Sequence, residues 1–195
     1  MHKFVLPLII CLLPFGLTGQ ENEIKLMYSP VSLQRIDDWG RNLDGLTGSY
    51  SGAFIIDYNL YLKPRLKLGV NLTYQQEKVE GTKTGVFRNP IPPYELITTT
   101  YEQKNKERWL FIGPQLGFEY IQKERFRMGS LIGLSMVVIR REDTVDSRIM
   151  NDETDINLFF HAELLNFTWG NSSGLTGQLG FGHKGLVSLG YFIRW

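Results

Sequence analysis

From Arg65 onward the chain alternates: Leu66, Leu68, Val70, Leu72 and Tyr74 fall on one face and Lys67, Gly69, Asn71, Thr73 and Gln75 on the other. A period of two is the signature of an extended strand with one apolar side. The preceding segment obeys the same rule, with Phe54, Ile56, Tyr58, Leu60 and Leu62 opposite Ser51, Ala53, Asp57 and Asn59, and Lys63-Pro64 supplies the turn between the two. Downstream, Leu110, Ile112, Leu116, Phe118 and Tyr120 oppose Gly113, Gln115, Gly117 and Glu119. Next, Ile132, Leu134, Met136 and Val138 oppose Gly129, Gly133 and Ser135. Ile156, Leu158, Phe160, Ala162 and Leu164 then oppose Asn157, His161 and Glu163, and Leu175, Leu179 and Phe181 oppose Thr176, Gln178 and Gly180. A first strand near Ile24 to Gln34, with a bulge or phase shift expected at Pro30, and a last one from Leu186 to Trp195 bring the number to eight. The expected fold is all-β, an eight-stranded antiparallel up-and-down barrel.

The connections fall into two classes. Lys63-Pro64, Gln122 to Arg125 and Gly170 to Ser173 are short, whereas Ile36 to Gly45, Glu80 to Lys106 and Glu142 to Thr154 are long and polar. Only His183-Lys184-Gly185 breaks the alternation. Short turns at one end and long loops at the other are the layout of a barrel that spans a membrane. The first residues support export: Lys3 precedes an apolar run from Phe4 to Leu13, and Leu17-Thr18-Gly19 offers a cleavage site before Gln20. Residues 1–19 are therefore expected to be a cleaved signal peptide and residues 20–195 the barrel domain. Pro7 and Pro14 break the run, which is too short for a spanning helix.

Period two does not say which face is outside. A soluble barrel of lipocalin type would bury Leu66, Leu68, Val70 and Leu72 around an apolar ligand and clothe its exterior in Lys and Glu. Here the face opposite the aliphatics is rich in Gly, Ser, Asn and Gln. Glycine covers nothing on an exposed strand but makes room inside a narrow barrel, so the Gly-rich face is expected to line the lumen and the aliphatics to meet lipid. Tyr50 and Tyr74 fall toward the long-loop end and Tyr120 and Trp195 toward the short-turn end, as two interfacial belts require.

At the carboxyl end Val187, Leu189, Tyr191, Ile193 and Trp195 alternate with Ser188, Gly190, Phe192 and Arg194, and the terminal residue is itself aromatic. In this the chain resembles the small eight-stranded outer-membrane β-barrel proteins of Gram-negative bacteria, a porin-like architecture. The resemblance runs from Gln20 to Trp195 and is one of pattern and layout. It implies that Val187, Leu189, Tyr191, Ile193 and Trp195 form the signal read by the barrel-assembly machinery. It also implies location in the cell outer membrane, with outer-membrane lipid and lipopolysaccharide as neighbours. Phe192, on the inward face, suggests an apolar layer near the periplasmic mouth.

Composition narrows the function. The 195 residues carry 21 basic and 20 acidic side chains, for a formal net charge of +1. Nucleic acid is thus not an expected partner, since there is no surplus to neutralise phosphates. The one cysteine is Cys11, inside the leader. No cofactor and no metal site is expected; Asp143, Asp146, Asp152, Glu153 and Asp155 cluster in one loop, but Arg140, Arg141 and Arg148 interleave with them. On the inward face fall Lys25, Asp57, Lys67, Glu119, His161, Glu163 and Arg194. Charges of both signs in so narrow a lumen should form a mutually paired network, and eight strands leave space for side chains alone.

His161 and Glu163 share a strand face, but no nucleophile accompanies them. Some small outer-membrane barrels act as lipid A acyl hydrolases, using His with Ser near the outer leaflet, and that is the enzymatic alternative. No His-x-Ser string occurs; His183 has Ser188 five residues on, facing inward. The reading carried forward is a non-enzymatic outer-membrane barrel with a structural or surface-interaction role. Asp37, Asp38, Trp39, Arg41, Tyr94 and Tyr101 are its candidate loop contacts, because Trp, Tyr and Arg concentrate binding energy. What those loops bind is not encoded in any pattern.

Overall fold

The computed structural model describes residues 21–31, 46–88, 96–145 and 148–195. Eight strands form: β1 (Asn22–Val31), β2 (Leu46–Lys63), β3 (Leu66–Arg88), β4 (Leu96–Gln122), β5 (Phe126–Val145), β6 (Arg148–Gly170), β7 (Ser173–Phe181) and β8 (Val187–Arg194). Each pairs antiparallel with the next, and β8 returns to β1 to close the barrel. Glu23 faces Arg194 and Leu26 faces Tyr191 across that seam. Its lower end is locked by hydrogen bonds of 2.8 and 3.0 Å between the backbones of Asn22 and Trp195. Closure leaves the lower wall without an edge, the condition for backbone to cross hydrocarbon.

The alternation read from the chain decides the two surfaces. Leu68, Leu116, Ile132, Leu134, Phe160, Leu189 and Ile193 stand outward and exposed, while Asp57, Lys67, Asn71, Gln115, Glu119 and His161 are buried within. Leu66, Leu68, Val70 and Leu72 do not line the interior: Leu68 and Leu72 are 44 and 37% exposed, and Lys67, Asn71 and Thr73 take the inward positions between them. A lipocalin-like carrier requires the reverse arrangement.

Three expectations are revised. Glu80 to Lys106 is not a loop, because β3 and β4 remain paired as far as Arg88 opposite Leu96. Glu142 to Thr154 is likewise a hairpin, paired out to Val145 opposite Arg148. Polar sequence on both faces looked like loop, but cross-strand hydrogen bonds continue above the membrane where both faces can be wet. Tyr50 does not belong to the outer aromatic belt. A bulge between Tyr50 and Ala53, with Gly52 at φ 79°, shifts the phase of β2 and sets Tyr50 beside Gln75 and Trp109. The β1–β8 ladder shifts register between Tyr28 and Val31, around Pro30.

The wall is uneven. β7 reaches β6 only as high as Phe181 opposite Ala162, whereas β3 to β6 rise far above that level. The connection between β7 and β8 is therefore the lowest on its side, and it folds into the barrel, burying His183 and Lys184. Gly182 and Gly185, at φ 114° and 87°, permit the curl. A Cβ on Gly185 would lie 2.0 Å from Ser29 Oγ and 2.5 Å from the Val31 carbonyl oxygen.

Candidate functional site

Inward side chains of all eight strands and the β7–β8 connection meet in the lumen, where they stack in three storeys. At the periplasmic mouth, Arg127 makes a two-pronged contact with Glu21 at 2.8 and 2.9 Å. Arg194 donates to Glu23 at 2.6 Å and to Thr168 at 3.3 Å. Both guanidinium groups lie over the Tyr61 ring, 5.4 and 5.9 Å from its centre, and the Tyr61 hydroxyl donates to Glu119 at 2.5 Å. Lys67 stands between Glu119 and Glu23, at 3.6 and 3.8 Å. Its stem runs so close to Gly117 that a Cβ there would lie 2.7 Å from Cε.

Phe192 is fully buried in this lower region, but no apolar layer surrounds it. Arg194 lies 4.7 Å over its ring and Lys25 is its cross-strand neighbour. The ring serves as a cation platform among charges.

The middle storey centres on Lys184. Its ammonium donates to both oxygens of Asp57 at 2.8 and 2.7 Å, to Gln115 at 2.7 Å and to Glu163 at 2.8 Å. Lys25 donates to Asn166 at 2.5 Å and lies 3.4 Å from Glu23, and Asn166 in turn donates to Glu163. Gln115 donates to Asn59 at 2.9 Å, linking this storey to Glu23 below. Among the described residues the buried charges balance, with Glu23, Asp57, Glu119 and Glu163 against Lys25, Lys67, Lys184 and Arg194. Balance and dense hydrogen bonding are what allow so many ionised groups to remain out of water.

The upper storey changes character. His183 stacks on Phe111, ring centres 4.4 Å apart and 11° from parallel, and meets His161 edge-on at 4.6 Å. Its Nε2 lies 3.1 Å from Asn71 Oδ1. Asn71 uses its amide nitrogen on the Gly113 carbonyl, so Oδ1 can only accept and the His183 proton sits on Nε2. Ser135 donates to the same oxygen at 3.1 Å, and Gln75 donates to the His183 backbone carbonyl. Above lie Val137 and Ile139 against Phe111, with Trp109 and Phe159 alongside. His161 fits only because β5 carries Gly133 beneath it, where a Cβ would lie 2.2 Å from the imidazole Cε1.

The lumen thus brings together Lys25, Asp57, Lys67, Glu119, Glu163 and Arg194, with His161 one storey higher. Sequence reasoning missed Glu23, Lys184 and His183. Glu23 shares parity with Lys25 and was legible on that ground. Lys184 and His183 lie in a turn, where parity has no meaning, and the flanking pair Gly182 and Gly185 was the available signal. No catalytic pair forms at Ser188, whose hydroxyl donates to the Lys184 carbonyl at 2.9 Å. Tyr101 is half-buried on β4 opposite Lys83. Asp37, Asp38, Trp39, Arg41 and Tyr94 lie outside the described residues.

No protein-family model matches the chain, and no curated protein sequence matches it. Among solved structures, the N-terminal β-barrel domain of OprF from Pseudomonas aeruginosa aligns over 90% of this chain and 97% of its own, at 8% identity and a TM-score of 0.51. Ail, the attachment invasion locus protein of Yersinia pestis, solved in complex with the heparin analogue sucrose octasulfate, aligns over the same shares at 11% identity and a TM-score of 0.39. The fold is that of the eight-stranded outer-membrane barrels.

Proposed function

We propose that this chain, exported by a leader at residues 1–19, is an integral outer-membrane barrel with a closed lumen and a structural or surface-interaction role. The observation that carries the reading is the inversion of the two surfaces. The exterior is aliphatic, with Tyr28, Phe54 and Tyr74 near its upper limit and Tyr120, Trp169 and Trp195 near its lower one, whereas ionised groups are buried inside. So large an exposed apolar belt is incompatible with water. Nine residues separate Trp169 from Phe160, a rise of about 23 Å at the usual strand tilt, which matches the apolar band of outer-membrane barrels.

Lys184 and its four hydrogen bonds lie across the middle of the lumen, which argues against steady conduction. Both histidines face inward, away from any acyl chain, and nothing supports a lipid A hydrolase. The β3–β4 and β5–β6 hairpins are the elements placed to meet partners outside, as rigid scaffolds presenting loops commonly do. The reading further implies that Val187, Leu189, Tyr191, Ile193 and Trp195 guide assembly through the cellular machinery.

Migration on SDS gels of unboiled and boiled outer-membrane fractions tests the proposal. A species in that fraction that shifts only on boiling supports it. A soluble periplasmic species without a shift would overturn it.

A further inference from the structure

The outward faces of β3, β4, β5 and β6 carry side chains in register rows. Tyr74, Leu110, Val138 and Ile156 form the last apolar row, each the cross-strand partner of the next. The row above is Gln76, Arg108, Arg140 and Thr154, and the one above that Lys78, Lys106, Glu142 and Asp152. Arg108 thus stands directly opposite Arg140, and Lys78 directly opposite Lys106. Like charges opposed across a ladder are destabilising unless an anion lies between them.

The protein's own carboxylates do not suffice. Glu142 serves both arginines, 3.1 Å from Arg108 and 3.3 Å from Arg140, and Asp152 holds Arg140 at 2.9 Å. Lys78 reaches up to Glu80 in the next row, and Lys106 has no ion-pair partner among the described residues. Two rows therefore hold four cations against two carboxylates. This surplus is one-sided, since the described outward faces of β1, β7 and β8 carry no Lys or Arg.

Position identifies the missing anion. The first basic row lies two residues above Tyr74, about 5 Å higher than the last apolar side chains, which is the depth of the headgroup layer on a membrane core. We propose that Lys78, Lys106, Arg108 and Arg140 form a seat for the phosphate of an outer-leaflet lipid headgroup. This rests on the membrane reading above and deepens it. The patch ties β3–β5 to the lipid surface and would favour a phosphorylated lipid around that side of the barrel.

The test uses the full mature chain folded into phosphatidylcholine vesicles doped with lipid A or with dephosphorylated lipid A, reading lipid A retained per barrel. The variants are Arg108→Gln with Arg140→Gln, and Lys78→Gln with Lys106→Gln. A third, Lys63→Gln with Arg65→Gln in a periplasmic turn, controls for general charge. At roughly a kilocalorie per surface cation, each patch variant should weaken retention by about tenfold or more. The turn variant and dephosphorylation separate the sources: the first should retain lipid A as the parent does, and the second should abolish the preference. Equal retention by parent and patch variants, or by both lipids, overturns the seat while leaving the barrel intact. Loss in the turn variant as large as in the patch variants also overturns it, as non-specific attraction. Failure of the parent to fold into vesicles, seen as no shift on boiling, overturns the membrane reading and the seat with it.

Discussion

Replacing Lys184 by methionine keeps most of the side-chain volume and removes the cation at the centre of the lumen. In the parent the ammonium lies 2.7 to 2.8 Å from Asp57 and 2.8 Å from Glu163. Each contact is worth about 6 kcal/mol gross at an effective dielectric of about 20, most of it offset by desolvation of the three ions. The net loss is therefore set by what remains: two carboxylates, almost fully buried, whose nearest cation is gone. Breaking a buried ion pair from one side costs about 3 to 5 kcal/mol. The variant can shed the excess charge by binding a proton, which caps the loss near about 4 kcal/mol at pH 7, the cost of protonating a carboxyl of ordinary acidity there. Unfolding in urea from detergent or vesicles, followed by tryptophan fluorescence, should show the midpoint falling by roughly 2 M at a slope typical of small domains. Trp169 and Trp195, 64 and 60% exposed on the lipid face, report the transfer to water. Adding Asp57→Asn restores the charge balance and should recover most of the loss. A Lys184→Met protein within about 0.5 kcal/mol of the parent, a spread ordinary for surface substitutions, would refute the reasoning, as would an absence of rescue by Asp57→Asn.

Other perturbations test other parts of the barrel. Val70→Arg, near the middle of the apolar band, should cost about 2 to 4 kcal/mol and reduce the heat-shifting species in the outer-membrane fraction; undiminished assembly would mean that this face does not meet lipid. Tyr61→Phe deletes the donor to Glu119 and should lower stability by about 1 to 3 kcal/mol, the range for a bond to a charged group, without altering gel migration. Gly185→Ala forces a side chain into positive φ and against Ser29. About 1 to 3 kcal/mol of local strain should appear as faster hydrogen exchange at the Leu186 amide, which is bonded to the Val31 carbonyl, while the β3–β4 hairpin stays protected.

Alternation alone determined the eight strands, their order and the side each residue takes, because a strand offers only two faces and one misplaced residue inverts both. Leu68 with Leu72 and Lys67 with Asn71 illustrate this: four neighbours in sequence are sorted between lipid and lumen by parity. The glycines at 117 and 133 also marked the inner face from sequence, though not which side chains would occupy the space above them, Lys67 and His161. Tertiary structure decided whatever parity cannot express. Strand length above the membrane depends on cross-strand pairing, so the polar stretch after Glu80 reads as loop yet forms a hairpin. Tyr50 changed sides because a bulge at Gly52 resets the phase. Lys184 and His183 reached the lumen by a turn that curls inward over a short wall, and Arg108 came to face Arg140 only through the register of β4 on β5. Parity is local, set by the geometry of one extended chain. Register, bulges and the path of a turn are properties of the closed ring, fixed only when all eight strands meet around a shared interior.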